Sequence, residues 1–242
     1  MDAIHICELT KKYKDVTAVD RLNLQVRKGE LISLLGVNGA GKTTTVKMLS
    51  CLTQPTSGDA RLMGKSIASE PGAVKTIIGV SPQETAVALG LTVKENLALI
   101  CGVCGFGREK KEEKIKELSE KLGLSSVMEK KAGKLSGGWQ RRLSIAMALI
   151  GEPKILFLDE PTLGLDVLAR SELWDLIGTL KGKITIVLTT HYMEEAEALS
   201  DRVAIMKNGR LLVYDTPQKI KEIAGTDRFE EAFIRLNKEE TK

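Results

Sequence analysis

Apolar and polar residues alternate strictly over Leu22-Asn-Leu-Gln-Val26, and residues 4–9 open the chain with β-forming character. This end therefore predicts strands with one solvated face. Leu31-Ile-Ser-Leu-Leu35 differs: it is a short apolar run that halts at a glycine-rich loop, with helical character from 43 to 52. Buried-type runs recur at Ile155-Leu-Phe-Leu158 and over 184–189, then at Val203-Ala-Ile-Met206 and Leu211-Leu-Val213. Asn208-Gly209 between the last two is a hairpin signal. Apolar strands alternating with helices predict a largely parallel sheet covered on both faces.

From Thr92 to about 149 the texture changes to helices without a convincing strand. Thr92-Val-Lys-Glu95 is a capping box opening an apolar helix. Residues 108–122 are densely charged, with Ile115, Leu118 and Leu122 on one stripe, so the charges read as a solvated helix face. Near the end, Phe229, Phe233 and Leu236 share a helical face that should pack on its own domain. With no repeat or low-complexity linker, 1–242 reads as one α/β domain. Its core would cover about 1–85 and 150–225, with a helical insertion over about 86–149 and a C-terminal helix over 226–242.

Composition sharpens this picture only in places. Aromatics are 4% of the 242 residues, so the core must rest on Ile, Leu, Val, Met and Ala. The net charge of +4 favours an anionic nucleotide or a membrane headgroup only weakly. No stretch approaches the roughly 18 apolar residues of a membrane span. The first residues lack the basic and apolar regions of a signal peptide. Any membrane role is therefore expected to come through a partner. The four cysteines do not suggest a disulfide framework. Cys101-Gly-Val-Cys104 has no second pair to complete a zinc site, and reduced thiols are expected.

Two motifs carry chemistry. Gly36-Val-Asn-Gly-Ala-Gly41-Lys42-Thr43 fits G-x-x-x-x-G-K-[ST] between a predicted strand and a predicted helix. Glycines let backbone N–H groups close around phosphates, the helix N-terminus adds a positive dipole end, and Lys42 adds a full charge. The Thr43 hydroxyl suits Mg²⁺. A kinase or a GTPase could carry the same loop, although no guanine-reading Asn-Lys-x-Asp is present. The second motif is the apolar run ending in Asp159-Glu160-Pro161, which matches a Walker B element. Asp159 is placed to hold Mg²⁺, and Glu160 to orient and deprotonate water.

Leu135-Ser-Gly-Gly138 ahead of a helix then resembles the signature loop, Leu-Ser-Gly-Gly-Gln, of the ABC ATPases. The other motifs follow in that family's order over essentially the whole chain. Gln83 in Val80-Ser-Pro-Gln83 resembles the Q-loop glutamine, Gly164-Leu-Asp166 the D-loop and His191 the switch histidine. Tyr13 resembles the aromatic that stacks on adenine. The resemblance implies a P-loop core with a mostly parallel sheet, an antiparallel N-terminal β subdomain and an inserted helical subdomain. It implies ATP and Mg²⁺ as cofactors. ATP would contact Tyr13, Gly36, Val37, Asn38, Gly39, Ala40, Gly41, Lys42, Thr43 and Thr44. Thr43, Gln83 and Asp159 would serve the metal, and Glu160, His191, Gln83 and Lys42 catalysis. Ser136, Gly137, Gly138 and Asp166 would act in trans, in a head-to-tail homodimer or heterodimer.

The fifth signature position departs from the pattern: it is Trp139, with Gln140 after it. A hydrogen bond assigned to that position is therefore in question. Thr162-Leu-Gly-Leu-Asp166, His191-Tyr-Met-Glu-Glu-Ala-Glu-Ala-Leu199 and Arg228-Phe-Glu-Glu-Ala-Phe-Ile-Arg-Leu236 resemble multidrug exporter ATPases in particular. That subclass implies a separate transmembrane permease, a cytoplasmic position on the inner membrane face, and no nucleic-acid partner. The alternative is a stand-alone ABC ATPase in cofactor assembly, DNA repair or ribosome regulation.

Overall fold

Alternation at the N-terminus buries Ile4, Ile6, Leu22, Leu24 and Val26 on one face of two antiparallel strands, β1 (Asp2–Tyr13) and β2 (Val16–Arg27). The computed structural model describes residues 2–239; residue 1 and residues 240–242 of the expected C-terminal helix lie outside them. Both strands run further than the alternation predicts. Register shifts flank Leu9, and Glu8 and Arg21 take left-handed φ of 47° and 46°. These bulges carry the pairing on into charged sequence. Next come β3 (Leu31–Leu35), α1 (Lys42–Leu49), β4 (Ser57–Leu62), β5 (Lys65–Ser66), α2 (Pro71–Lys75) and β6 (Ile78–Ser81). The helix α1 stops short of the expected 52, and Cys51 beyond it turns to φ 56°. β4 and β6 were not foreseen. β4 buries only Ala60 and Leu62 among its apolar residues, and β6 has four residues with a glycine among them, too few for a periodicity to show.

Then follow α3 (Val93–Val103), α4 (Arg108–Lys121), α5 (Gly137–Leu149), β7 (Ile155–Asp159), α6 (Val167–Leu180), β8 (Thr185–Thr190) and α7 (Met193–Leu199). Last are β9 (Arg202–Lys207), β10 (Arg210–Asp215), α8 (Pro217–Ile223) and α9 (Phe229–Glu239). Thr92 opens α3 with the predicted reciprocal cap. Its hydroxyl accepts from Glu95 N at 3.1 Å, and Glu95 Oε2 accepts from Thr92 N at 2.7 Å. Asn208 and Gly209 turn the β9–β10 hairpin with φ of 49° and 78°, as a primed turn requires.

The strands form two sheets, an antiparallel one in the order β2-β1-β4-β5 and a six-stranded one in the order β10-β9-β3-β8-β7-β6. The latter is parallel except for β10. Every residue of β3, β7 and β8 is buried, because both faces are covered. Ile155 and Phe157 join a core with Ile4, Ile6 and Met48, beneath the antiparallel sheet and α1. Leu156 and Leu158 face the other way, into a core shared with Leu97, Ile115, Leu118 and Leu143 of the helical region. On α9, Phe229 and Phe233 pack with Ile205 and Ile220, and Leu236 lies alongside.

One contact fixes α5 against the sheet edge. A Cβ on Gly79 of β6 would meet the Ala148 carbonyl oxygen at 2.2 Å, so only glycine allows this approach. Gly79→Ala should lower unfolding stability by about 1–3 kcal/mol through overpacking, read as an earlier urea midpoint. An unchanged midpoint would mean the end of α5 can retreat freely.

Candidate functional site

β3, β7 and β8 all end at one edge of the sheet, where open α/β folds gather ligands. A cleft of about 710 Å³ opens there, lined by residues 38–44, residues 16–18 of β2, Gln83, Glu160, His191 and Asn208. Gly41 takes φ 100°, and a Cβ on it would meet the Ala18 carbonyl oxygen at 2.5 Å. The loop can thus lie against β2 only with glycine there. The hairpin tip supports the loop from below: Gly209 N donates to Ala40 O at 3.1 Å, and Asp20 N donates to Gly209 O at 2.9 Å. No side chain caps α1, leaving its first-turn N–H groups to serve an anion.

Lys42 is only 4% exposed. Its ammonium donates to Gly36 O at 2.7 Å and Val37 O at 3.2 Å, and stands 3.7 Å from Glu160 Oε1. Burial pulls the Lys42 pKa below the usual lysine value, against the opposing pull of Glu160 and Asp159. On the cleft floor, Thr43 Oγ1 donates to Asp159 Oδ1 at 3.2 Å. Thr189 Oγ1 donates to the same oxygen. The next peptide is held as well, with Glu160 N donating to Thr189 Oγ1 at 3.0 Å and Thr189 O at 3.1 Å. Glu160 itself sits at φ 46°, a costly conformation for a side-chain-bearing residue. Its buried carboxylate lies between Lys42 and His191, whose Nδ1 is 3.2 Å from Glu160 Oε2. That nitrogen is buried and makes no hydrogen bond, so the contact is out of alignment.

A hydroxyl and one carboxylate in contact are a hard oxygen pair. They fit Mg²⁺, which keeps its waters and takes one or two carboxylates plus substrate phosphates. Among the described residues no cluster of three or more His, Cys, Asp or Glu could hold a metal alone. Gln83 is exposed and faces the same cleft.

The remaining sequence-predicted residues lie elsewhere. Ser136 and Gly137, both exposed, and the half-buried Gly138 form the start of α5 and do not line the cleft. Asp166 caps α6, its Oδ1 accepting from Ala169 N at 2.9 Å. These two segments adjoin each other: a Cβ on Gly137 would touch Leu165 at 3.5 Å, and one on Gly138 would touch Ala169 at 3.3 Å. Tyr13 is 46% exposed, carries the Lys11 ammonium 4.9 Å from its ring centre, and lies outside the cleft lining. Val16, 65% exposed, lines the cleft instead. Among the described residues the Trp139 side chain makes no hydrogen bond from the fifth signature position. Its ring packs on the core beneath the Arg142 guanidinium. Gln140 Nε2 donates to Ala132 O at 3.1 Å and Leu135 O at 3.3 Å, and so ties down the loop ahead of the helix. All four cysteines are free.

Sequence reasoning missed Thr189, Val16, Asn208 and Arg141. Thr189 read only as the end of a strand and Asn208 only as a turn residue, while Val16 and Arg141 carried no reading of their own.

A family model described as ABC transporter matches residues 19–163. The chain belongs to the ABC transporter ATP-binding family. Over 95% of its length this ABC domain is 40% identical to the probable multidrug ABC transporter ATP-binding protein YbhF of Escherichia coli, and it spans 40% of that protein. Over 93% of its length it is 39% identical to the daunorubicin/doxorubicin resistance ATP-binding protein DrrA of Streptomyces peucetius, spanning 68% of it. Its fold matches a solved ATP-binding cassette in a dimeric post-hydrolysis state bound to ADP and Pi. There the TM-score is 0.80 at 26% identity, over 88% of this chain and 98% of that one.

Proposed function

We propose that this ABC domain hydrolyses ATP to power a membrane exporter of drugs or other small molecules. The observation that carries the reading is the Glu160 carboxylate, held between Lys42 and His191 beside the Thr43–Asp159 pair. ATP enters with its phosphates against residues 36–44 and its adenine toward Tyr13 and Val16. Lys42 leaves the Gly36 and Val37 carbonyls and turns to the β- and γ-phosphates. Glu160 takes a proton from a water attacking the γ-phosphorus in line. The bond from the γ-phosphorus to the bridging oxygen breaks, and ADP carries away its electron pair. His191 steadies the water and the γ-phosphate. Bound Mg²⁺, held by Thr43 and Asp159 with Gln83 nearby, would neutralise charge on the β- and γ-oxygens.

Because Ser136 and Asp166 lie outside this cleft, the complete site needs a second subunit, arranged head to tail. No helix among the described residues is long and apolar enough to cross a membrane. The relatives' names as transporter ATP-binding proteins support a permease partner, which would hold this domain at the inner membrane face. The drug-resistance names of the relatives favour export over a stand-alone soluble role. The reading is tested by assaying phosphate release from ATP, with and without Mg²⁺. Lys42→Ala should weaken binding of a labelled ATP analogue about 10- to 100-fold, the loss of a charge-assisted contact present already in the ground state. Equal affinity in the two proteins contradicts the phosphate-loop assignment.

A further inference from the structure

The helix that begins at Ser136 is joined to the loop bearing Gln83 by one buried side chain. Arg141 lies in α5, five residues after Ser136, and is buried. Its fork donates from Nη1 to Pro82 O at 2.6 Å and from Nη2 to Gln83 O at 2.7 Å. Among the described residues no carboxylate is within ion-pair distance of it, although Asp159 and Glu195 exert charge on it from further away. A buried guanidinium devoted to two main-chain carbonyls is costly unless those bonds are well made.

Two further contacts fasten the same elements. Ser81 and Ser144 share a buried hydrogen bond of 2.8 Å between their hydroxyls, and Gly79 admits the Ala148 carbonyl against β6. The end of β6 and the main chain of Pro82 and Gln83 are thus fastened to α5, at whose start lie Ser136, Gly137 and Gly138. Gln83 meanwhile lines the cleft.

We propose that Arg141 couples nucleotide bound in one subunit to the signature loop that the same subunit presents to its partner. Ligand that draws Gln83 inward moves its main chain. The two bonds from the planar fork transmit both distance and direction to α5, and so to Ser136. A lysine offers a single point charge and cannot hold both carbonyls in that geometry. Arg141 is thus a positioning residue, acting on the composite site through Gln83 and Ser136. The inference rests on the proposed ATP-driven dimer and adds the route by which one site reports to the other.

The test uses Glu160→Gln as the parent, in which hydrolysis should not disperse the dimer. Arg141→Met and Arg141→Lys are added singly. Affinity for a labelled ATP analogue is measured at dilution, and ATP-dependent dimerisation by sedimentation. Both double variants should bind ATP within about twofold of the parent. Dimerisation should weaken about tenfold for methionine and less for lysine. Dimerisation at the parent's protein concentration in a folded variant overturns the proposal, as does an equal loss of ATP affinity and dimerisation, the mark of a merely structural role. If methionine prevents folding, lysine carries the same test. A parent that binds no ATP, or never dimerises, overturns the functional reading itself and is seen in the parent alone.

Discussion

Glu160→Gln should bind ATP with near-normal affinity, hydrolyse it about 10²- to 10⁴-fold more slowly, and accumulate as an ATP-bound dimer. The amide keeps the size of the carboxylate and can still meet Lys42 and His191. It cannot accept a proton from water at neutral pH. The strained backbone of Glu160 and the two hydrogen bonds from its N–H to Thr189 are independent of the side chain, so the loop should hold its shape. Binding therefore survives while the chemical step fails, and the closed dimer has no exit. Size-exclusion chromatography with ATP separates the two species, and single-turnover phosphate release gives the rate. Normal turnover in the variant would remove Glu160 from the role of base.

Much of this site was legible because its chemistry demands particular residues at particular spacings. Gly36 to Thr43 could be read from glycine sterics and a single lysine, and Asp159-Glu160 from a buried run that ends in two acids. The mostly parallel sheet was legible too, because β3, β7 and β8 are built on short apolar runs and buried throughout. β4 and β6 were not. They owe their existence to hydrogen bonding along an edge already in place, β1 for the one and β7 for the other, rather than to any hydrophobic pattern of their own.

The supporting residues were the least legible. Thr189 lies 30 residues from Asp159 and 29 from Glu160, and Arg141 59 and 58 residues from the carbonyls it holds. A threonine in a strand and an arginine in a helix have strong local explanations that conceal a long-range one. Tyr13 shows the converse: family position suggested an adenine contact, but the strand leaves Val16 lining the cleft and Tyr13 beside it. The different places of Trp139 and Gln140 follow from packing. Trp139 takes a place against the core, and the next position on the helix faces the carbonyls of Ala132 and Leu135.

A mixture of Lys42→Ala and Ser136→Arg chains should recover ATPase activity that neither chain has alone. In a head-to-tail dimer each site takes its phosphate loop from one chain and its signature from the other. Lys42→Ala keeps a sound signature and Ser136→Arg a sound phosphate loop, so a heterodimer has one intact site and one doubly damaged site. With random pairing, half of the dimers are mixed and one site in two is whole. Recovery should then approach about a quarter of the wild-type rate, less whatever the sites lose through coupling. The geometry motivates the expectation: Ser136 is exposed at the start of α5 and does not line its own cleft. An arginine in its place should block the partner's site by bulk, filling the space in which the serine hydroxyl would meet the phosphate. Wild-type rate should correspondingly rise faster than linearly with protein concentration below the dimerisation constant. The result that overturns the composite site is a specific activity independent of concentration, across a range in which sedimentation shows only monomer.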